Sequence, residues 1–182
     1  MLRRVAVFAS ATEVATPDEQ AAAQRVGRQL PDRAITLVVA AEAIGPARTT
    51  VDTALAAGGR VVGVGVGPPG ETGGFTETRR VEDGDQQRRE MLMLADAVLA
   101  LPGAFDRLEE VLALWDAAVS GSSLPIGLLD ENGYYSALLQ RAGDEALDRF
   151  VRESQRGMLV LSRSLDDLLT RLDDFRPPET RR

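Results

Sequence analysis

The sequence predicts an α/β protein built on a doubly wound parallel sheet, a three-layer sandwich with helices on both faces. Short apolar runs rich in β-branched residues alternate along the chain with segments of helical period, the pattern of strand and crossover helix. The runs are apolar at consecutive positions, as strands covered on both sides require. With 182 residues, 44% hydrophobic and 27% charged, the chain has the composition of a folded domain. It is long enough to bury about 70% of the surface of an unfolded chain.

Six strands are expected: Val5 to Ala9, Ile35 to Val39, Val61 to Val66, Ala97 to Leu101, Ile126 to Leu129 and Met158 to Leu161. Between the first two, Thr16-Pro17-Asp18-Glu19 supplies an N-cap, a proline at the first helical position and acids in the first turn. Ala22, Val26 and Leu30 continue that helix at apolar spacing. A second helix from Thr49 to Ala57 stops at Gly58-Gly59, just before the third strand. From Gly67 to about Gly84 the chain is rich in glycine and proline without periodicity, which predicts a loop. Helices follow over Gln86 to Leu94, along the stripe Leu108, Val111, Leu112, Trp115 and Val119, and from Tyr135 to about Glu153. Trp115 and the Tyr134-Tyr135 pair read as packing residues, Asn132-Gly133 as a turn, and Ser164 as the cap of a last helix from Leu165 to Leu172. One domain over residues 1–178 is expected, with a polar tail over 179–182.

Composition narrows the chemistry. The chain has no cysteine and no histidine, and every one of its 21 basic residues is arginine. Thiol nucleophiles, serine–histidine triads, the usual zinc sites and Schiff-base lysines are therefore excluded. Neither a metal nor an organic cofactor is expected. A net charge of −7 repels nucleic acid and anionic membranes, so neither is an expected partner. No stretch has the apolar length of a membrane span and the start lacks a signal-peptide pattern, so a cytoplasmic location is expected.

Open parallel sheets bind ligands outside the carboxyl ends of their strands, which directs attention to Ser10 to Thr12, Ala40 to Arg48, Gly67 onward and Pro102 to Glu110. These segments carry a resemblance. RVAVFASAT at the start, DTALAAGGRVVGV from Asp52, ADAVLALPG from Ala95, LEE from Leu108, PIGLLDENGYYSALL from Pro125 and LDDFRPP from Leu172 resemble, in order, the Lonely Guy family. Members of that family are cytokinin riboside 5'-monophosphate phosphoribohydrolases. The resemblance implies a Rossmann-like sandwich of the Lonely Guy type, a nucleoside monophosphate as ligand and a homodimer.

The motifs that carry the family's chemistry are altered. Its turn G-G-G-x-x-G-x-M-G reads Ala40-Ala41-Glu42-Ala43-Ile44-Gly45-Pro46-Ala47-Arg48 here, keeping only Gly45 of five glycines. Its P-G-G-x-G-T-x-x-E reads Pro102-Gly103-Ala104-Phe105-Asp106-Arg107-Leu108-Glu109-Glu110. The family's catalytic arginine falls on Gln87, and Arg88 is displaced from it by one residue, about 100° around a helix. A carboxylate such as Glu42 about 4 Å from a phosphate costs roughly 4 kcal/mol per unit charge at an effective dielectric of 20. Arg48 and Arg107 are placed either to pair with Glu42 and Asp106 or to take a phosphate themselves.

The candidate site follows from these matches. Glu110 stands at the family's glutamate, as a retained carboxylate that stabilises an oxocarbenium-like centre or as a relic. Glu109 reads as a first-turn acid of a helix that Asp106 caps. Ser10, Thr12, Gly45, Arg48, Gly103 and Arg107 are the ligand-binding candidates, with Arg88, one residue from the family's arginine position, a catalytic candidate beside Glu110. Two functions are expected: a family protein whose phosphoribohydrolase activity is weak or lost, acting as a nucleotide-binding or regulatory subunit, or an active divergent enzyme. The first admits a hetero-oligomer with an active relative.

Overall fold

The computed structural model describes residues 1–68, 74–105, 113–114, 116–117, 124–142 and 158–176. They form a sheet of seven parallel strands in the order β4-β3-β2-β1-β5-β6-β7. The strands are β1 (Arg4–Phe8), β2 (Thr36–Ala40), β3 (Val61–Val66), β4 (Glu77–Val81), β5 (Ala97–Ala100), β6 (Ile126–Leu129) and β7 (Leu159–Ser162). The chain winds outward from β1 to β4, then returns to the other side of β1 with β5, so the reversal point lies between β1 and β5. Crevices for ligands open at such reversals.

Five helices are described: α1 (Pro17–Asp32), α2 (Gly45–Ala56), α3 (Gly84–Leu94), α4 (Tyr134–Ala142) and α5 (Leu165–Asp173). On one face Ala22, Val26 and Leu30 of α1, Val51 and Ala54 of α2 and Leu165, Leu168 and Leu172 of α5 cover Val5, Val7, Leu37 and Val39. The opposite face of the sheet, with Ala6, Val38, Val62 and Val98, packs against Met91 and Leu92 of α3, Tyr135 of α4 and, outside these elements, Leu114. Alternate strand residues thus enter different cores, as the two-residue period of a strand demands. The sheet is buried between helices on both sides, as its apolar runs predict.

Thr16 caps α1 through a full capping box: its hydroxyl accepts from Glu19 N–H and the Glu19 carboxylate accepts from Thr16 N–H. Ser164 caps α5 by accepting from Asp167 N–H at 3.3 Å. Three elements differ from expectation. The segment from Gly67 to Gly84 contains β4, a half-buried edge strand of sequence ETRRV whose polar side chains hide it from a hydropathy reading. Helix α2 starts at Gly45, four residues before the expected Thr49, with Pro46 in its first turn. Helix α3 starts at Gly84 behind the N-cap Asp83, two residues before Gln86. Asn132-Gly133 closes a short 3-10 turn over Glu131–Gly133. Trp115, most of the 108–119 stripe, residues 143–153 and the tail lie outside the described residues, which contain no helix long and apolar enough to cross a membrane.

Candidate functional site

A cleft of about 850 Å³ opens at the carboxyl ends of β1 and β2, walled by the first turns of α3. Its floor is apolar, from Val7, Phe8, Val39 and Met91, and small alanines (Ala9, Ala11, Ala40, Ala43 and Ala47) leave its room. The polar side chains facing it are Glu42, Asp83, Asp85, Gln87 and Arg88. This volume suits a small organic ligand.

The turn after β2 carries Glu42 into the gap between β2, β3 and α3. Its Oε1 accepts the main-chain N–H of Val66 at 2.9 Å. Its Oε2 accepts the Gln87 side-chain amide at 2.6 Å. Gln87 Nε2 also donates to Val64 C=O at 2.7 Å, so both hydrogens of that amide are used. Two positions where the chain departs from the family motifs, one on a turn and one on a helix 45 residues later, therefore meet in a single hydrogen-bonded unit.

Arg48 does not pair with Glu42. It turns along its own helix to Asp52, Nη2 to Oδ1 at 2.7 Å, the i,i+4 geometry that a helix offers without any tertiary rearrangement. Arg88 lines the cleft together with Gln87, because the cleft wraps the first turns of α3 instead of facing one stripe of it. No hydrogen bond or ion pair joins Arg88 to another of the described residues.

Gly45 has φ +56, and a Cβ built on it would lie 1.9 Å from the Thr12 carbonyl oxygen, so only glycine lets the β1 loop close over the start of α2. Ser10 is buried, and its carbonyl accepts Ala47 N–H at 3.1 Å, consuming a first-turn amide of α2. Thr12 accepts Val14 N–H at 3.2 Å as a turn former. Neither Ser10 nor Thr12 is among the residues that line the cleft. Gly103 (φ +78) backs onto the Glu19 carboxylate of the α1 capping box, where a Cβ would lie 1.8 Å from Oε1, and it is not among the residues that line the cleft. Asp106, Arg107, Glu109 and Glu110 lie outside the described residues.

Asp83 and Asp85 were not singled out from the sequence. Asp83 caps α3, accepting Gln86 N–H at 2.7 Å, while Gln86 Oε1 accepts Glu82 N–H at 3.2 Å. An acid followed by glutamine three residues on is a legible helix start, and placing it there would have put both acids at the mouth of the cleft. The tyrosine pair packs as expected: the rings meet edge to face at 5.1 Å, and Tyr134 and Tyr135 hydroxyls donate to Phe105 and Leu101 carbonyls at 3.0 and 2.6 Å. Among the described residues, no three carboxylate, histidine or cysteine side chains converge in a metal-holding group.

Comparison with known proteins places this geometry among relatives. A family model described as possible lysine decarboxylase matches residues 48–172. A protein of Oryza sativa subsp. japonica named as a probable cytokinin riboside 5'-monophosphate phosphoribohydrolase, LOGL5, is 36% identical over 97% of this chain and 74% of its own length. The cytokinin riboside 5'-monophosphate phosphoribohydrolase LOG7 of Arabidopsis thaliana is 35% identical over 96% of this chain and 83% of its own. Among solved structures, the molybdenum cofactor carrier protein of Chlamydomonas reinhardtii superposes with a TM-score of 0.70 at 15% identity, covering 94% of this chain and 96% of that one. The structure of TM1055 gives 0.69 at 16% identity, with 95% and 99% covered. At such identities the structural neighbours speak to the fold alone.

Proposed function

This chain belongs to the Lonely Guy family, the group matched by the possible lysine decarboxylase model, and from that premise we propose that it is a nucleoside-cleft protein whose phosphoribohydrolase activity is weak or lost. The carrying observation is the Gln87 amide bonded to the Glu42 carboxylate at 2.6 Å inside the cleft. Where the family motif has an arginine and a bare glycine turn, this chain has a neutral donor already engaged by an anion of its own. A guanidinium offers a full charge and a bidentate fork to a phosphate, and a glutamine with both amide hydrogens spent offers neither.

The description lysine decarboxylase does not suit these residues. Amino-acid decarboxylation on a pyridoxal cofactor uses a lysine Schiff base, and the 182 residues contain no lysine. The names of the sequence relatives are the better guide to ligand class.

A second reading, a divergent but active phosphoribohydrolase, is favoured by Arg88, which lines the cleft and has no partner among the described residues, and by Glu110 at the family's glutamate. In that reaction water adds at the anomeric carbon as the bond to the base breaks, giving free base and ribose 5-phosphate. Glu110 would stabilise the oxocarbenium-like centre and Arg88 the phosphate. Incubating the pure protein with AMP and chromatographing for adenine separates the two. The expected rate equals that of its Glu110→Ala variant; a rate well above the variant's establishes the active enzyme instead. In either reading the assembly we propose is a homodimer, with a hetero-oligomer containing an active relative as the regulatory form of the first.

A further inference from the structure

We propose that Glu42, latched by Val66 N–H and Gln87, is a built-in anion that makes the cleft accept an uncharged nucleoside and refuse its 5'-phosphorylated form. The proposal rests on the nucleoside-cleft reading above and adds which charge state of the ligand enters. A main-chain N–H and a side-chain amide converging on one oxyanion are the donor set that proteins offer to a bound anion. Here the occupant is the protein's own carboxylate, at 2.9 and 2.6 Å. The site is thereby satisfied without a ligand, and a phosphate entering it must displace a tethered competitor or sit beside a like charge.

Neighbouring charges reinforce the refusal. Asp83 and Asp85 face the same cleft from the start of α3, against the single guanidinium of Arg88 among the lining residues. First-turn amides of α2, which would otherwise attract a phosphate, are reduced as well. Pro46 has no N–H and Ala47 N–H is held by Ser10 C=O at 3.1 Å. What remains open is the apolar floor of Val7, Phe8, Val39 and Met91, which a neutral base covers without charge cost. Gln87 acts as a positioning residue, since it fixes Glu42 and ties it to the β3 carbonyl of Val64 at 2.7 Å.

The test compares adenosine with AMP by calorimetric titration of the whole chain and of Glu42→Gln, which removes charge while keeping size. Wild-type protein is expected to bind adenosine at least about tenfold more tightly than AMP. Glu42→Gln is expected to keep its affinity for adenosine, which also reports that it folds, and to lose most of the discrimination. Raising salt from about 0.01 to 1 M shortens the screening length from about 30 to 3 Å and should shrink the preference more in the wild type than in Glu42→Gln, a difference that separates Glu42 from the charges of Asp83 and Asp85. AMP binding as tightly as adenosine to the wild type overturns the gate and leaves the nucleoside cleft standing. Discrimination unchanged in Glu42→Gln also overturns it. Binding of neither ligand overturns the nucleoside cleft itself, and the gate with it.

Discussion

Tyr135 is buried among apolar side chains with its hydroxyl donating to Leu101 C=O at 2.6 Å. Burial, reinforced by neighbouring Tyr134 and Asp130, holds its phenol pKa well above the ordinary value of 10.0. The folded state therefore keeps its proton where the unfolded chain releases it, so this contribution is complete below about pH 10 and declines as pH rises beyond it. Tyr135→Phe should cost about 1–2 kcal/mol near neutrality, because the Leu101 carbonyl loses its partner in the core. The variant should also show a flatter alkaline limb in urea melts taken across that range. Asp173 works in the opposite sense. Its carboxylate accepts Leu2 N–H and lies 3.3 Å from the terminal ammonium of Met1, and these hold its pKa below the usual 3.8. Its stabilisation is present above the unfolded-state value and lost as pH falls through the lower folded one. Asp173→Asn should lower the melting temperature at pH 7, and the gap to wild type should close on acidification. At this scale the sequence was informative about identity and silent about contact. Glu42, Gln87 and Arg48 were each legible as departures from a motif. That Glu42 meets Gln87 while Arg48 turns to Asp52 depends on how α3 crosses β3, and no local spacing encodes that.

Helices α1 and α2 cross closely, and the crossing is set by one missing side chain. A Cβ on Gly27 would lie 2.7 Å from Thr50 C=O and 2.7 Å from Thr53 Cβ. Alanine at this position gains about 1 kcal/mol of helix propensity. Pushing one packed helix off another costs about 1–3 kcal/mol, and a backbone carbonyl cannot step aside as a flexible side chain does. The packing cost offsets the propensity gain and exceeds it by up to about 2 kcal/mol, so Gly27→Ala is expected to destabilise, read as a lower urea midpoint at unchanged slope. Because α2 begins at the cleft, the same variant should weaken whatever the cleft binds. Elements of this kind were legible where one strong pattern governs them: the buried runs of β3 and β6 and the caps at Thr16 and Ser164 lie where the pattern puts them. Strand β4 was not, because an edge strand needs no apolar face and ETRRV reads as loop. The early start of α2 was available in Pro46, whose fixed φ suits a first helical turn, but the neighbouring glycine reads as a breaker.

An open sheet of seven strands has two edges, and both are protected. β4 presents Glu77 and Arg79, paired at 2.7 Å, and a strand added there would strip water from those charges. β7 is more apolar, but Arg171 of α5 reaches over it and donates to Leu161 C=O at 3.0 Å, occupying an edge acceptor. The Ser162 hydroxyl turns the chain away just beyond, through Ser164 C=O at 3.1 Å. Assembly by edge pairing is thus disfavoured at both ends, and two copies of the 19.5 kDa chain are expected to associate through helices, as a closed symmetric pair. Sedimentation should give that dimer over a wide concentration range; a monomer throughout would remove both the homodimer and the case for a hetero-oligomer. Arg171→Ala separates the two surfaces. It frees the Leu161 carbonyl and one side chain of edge cover without touching the cleft, so thioflavin-positive aggregates should form sooner on warming than in wild type. The sedimenting species at low temperature should stay the same size. If the variant instead dissociates, α5 and the β7 edge belong to the dimer contact, and helix-to-helix assembly is replaced by pairing on that side of the sheet.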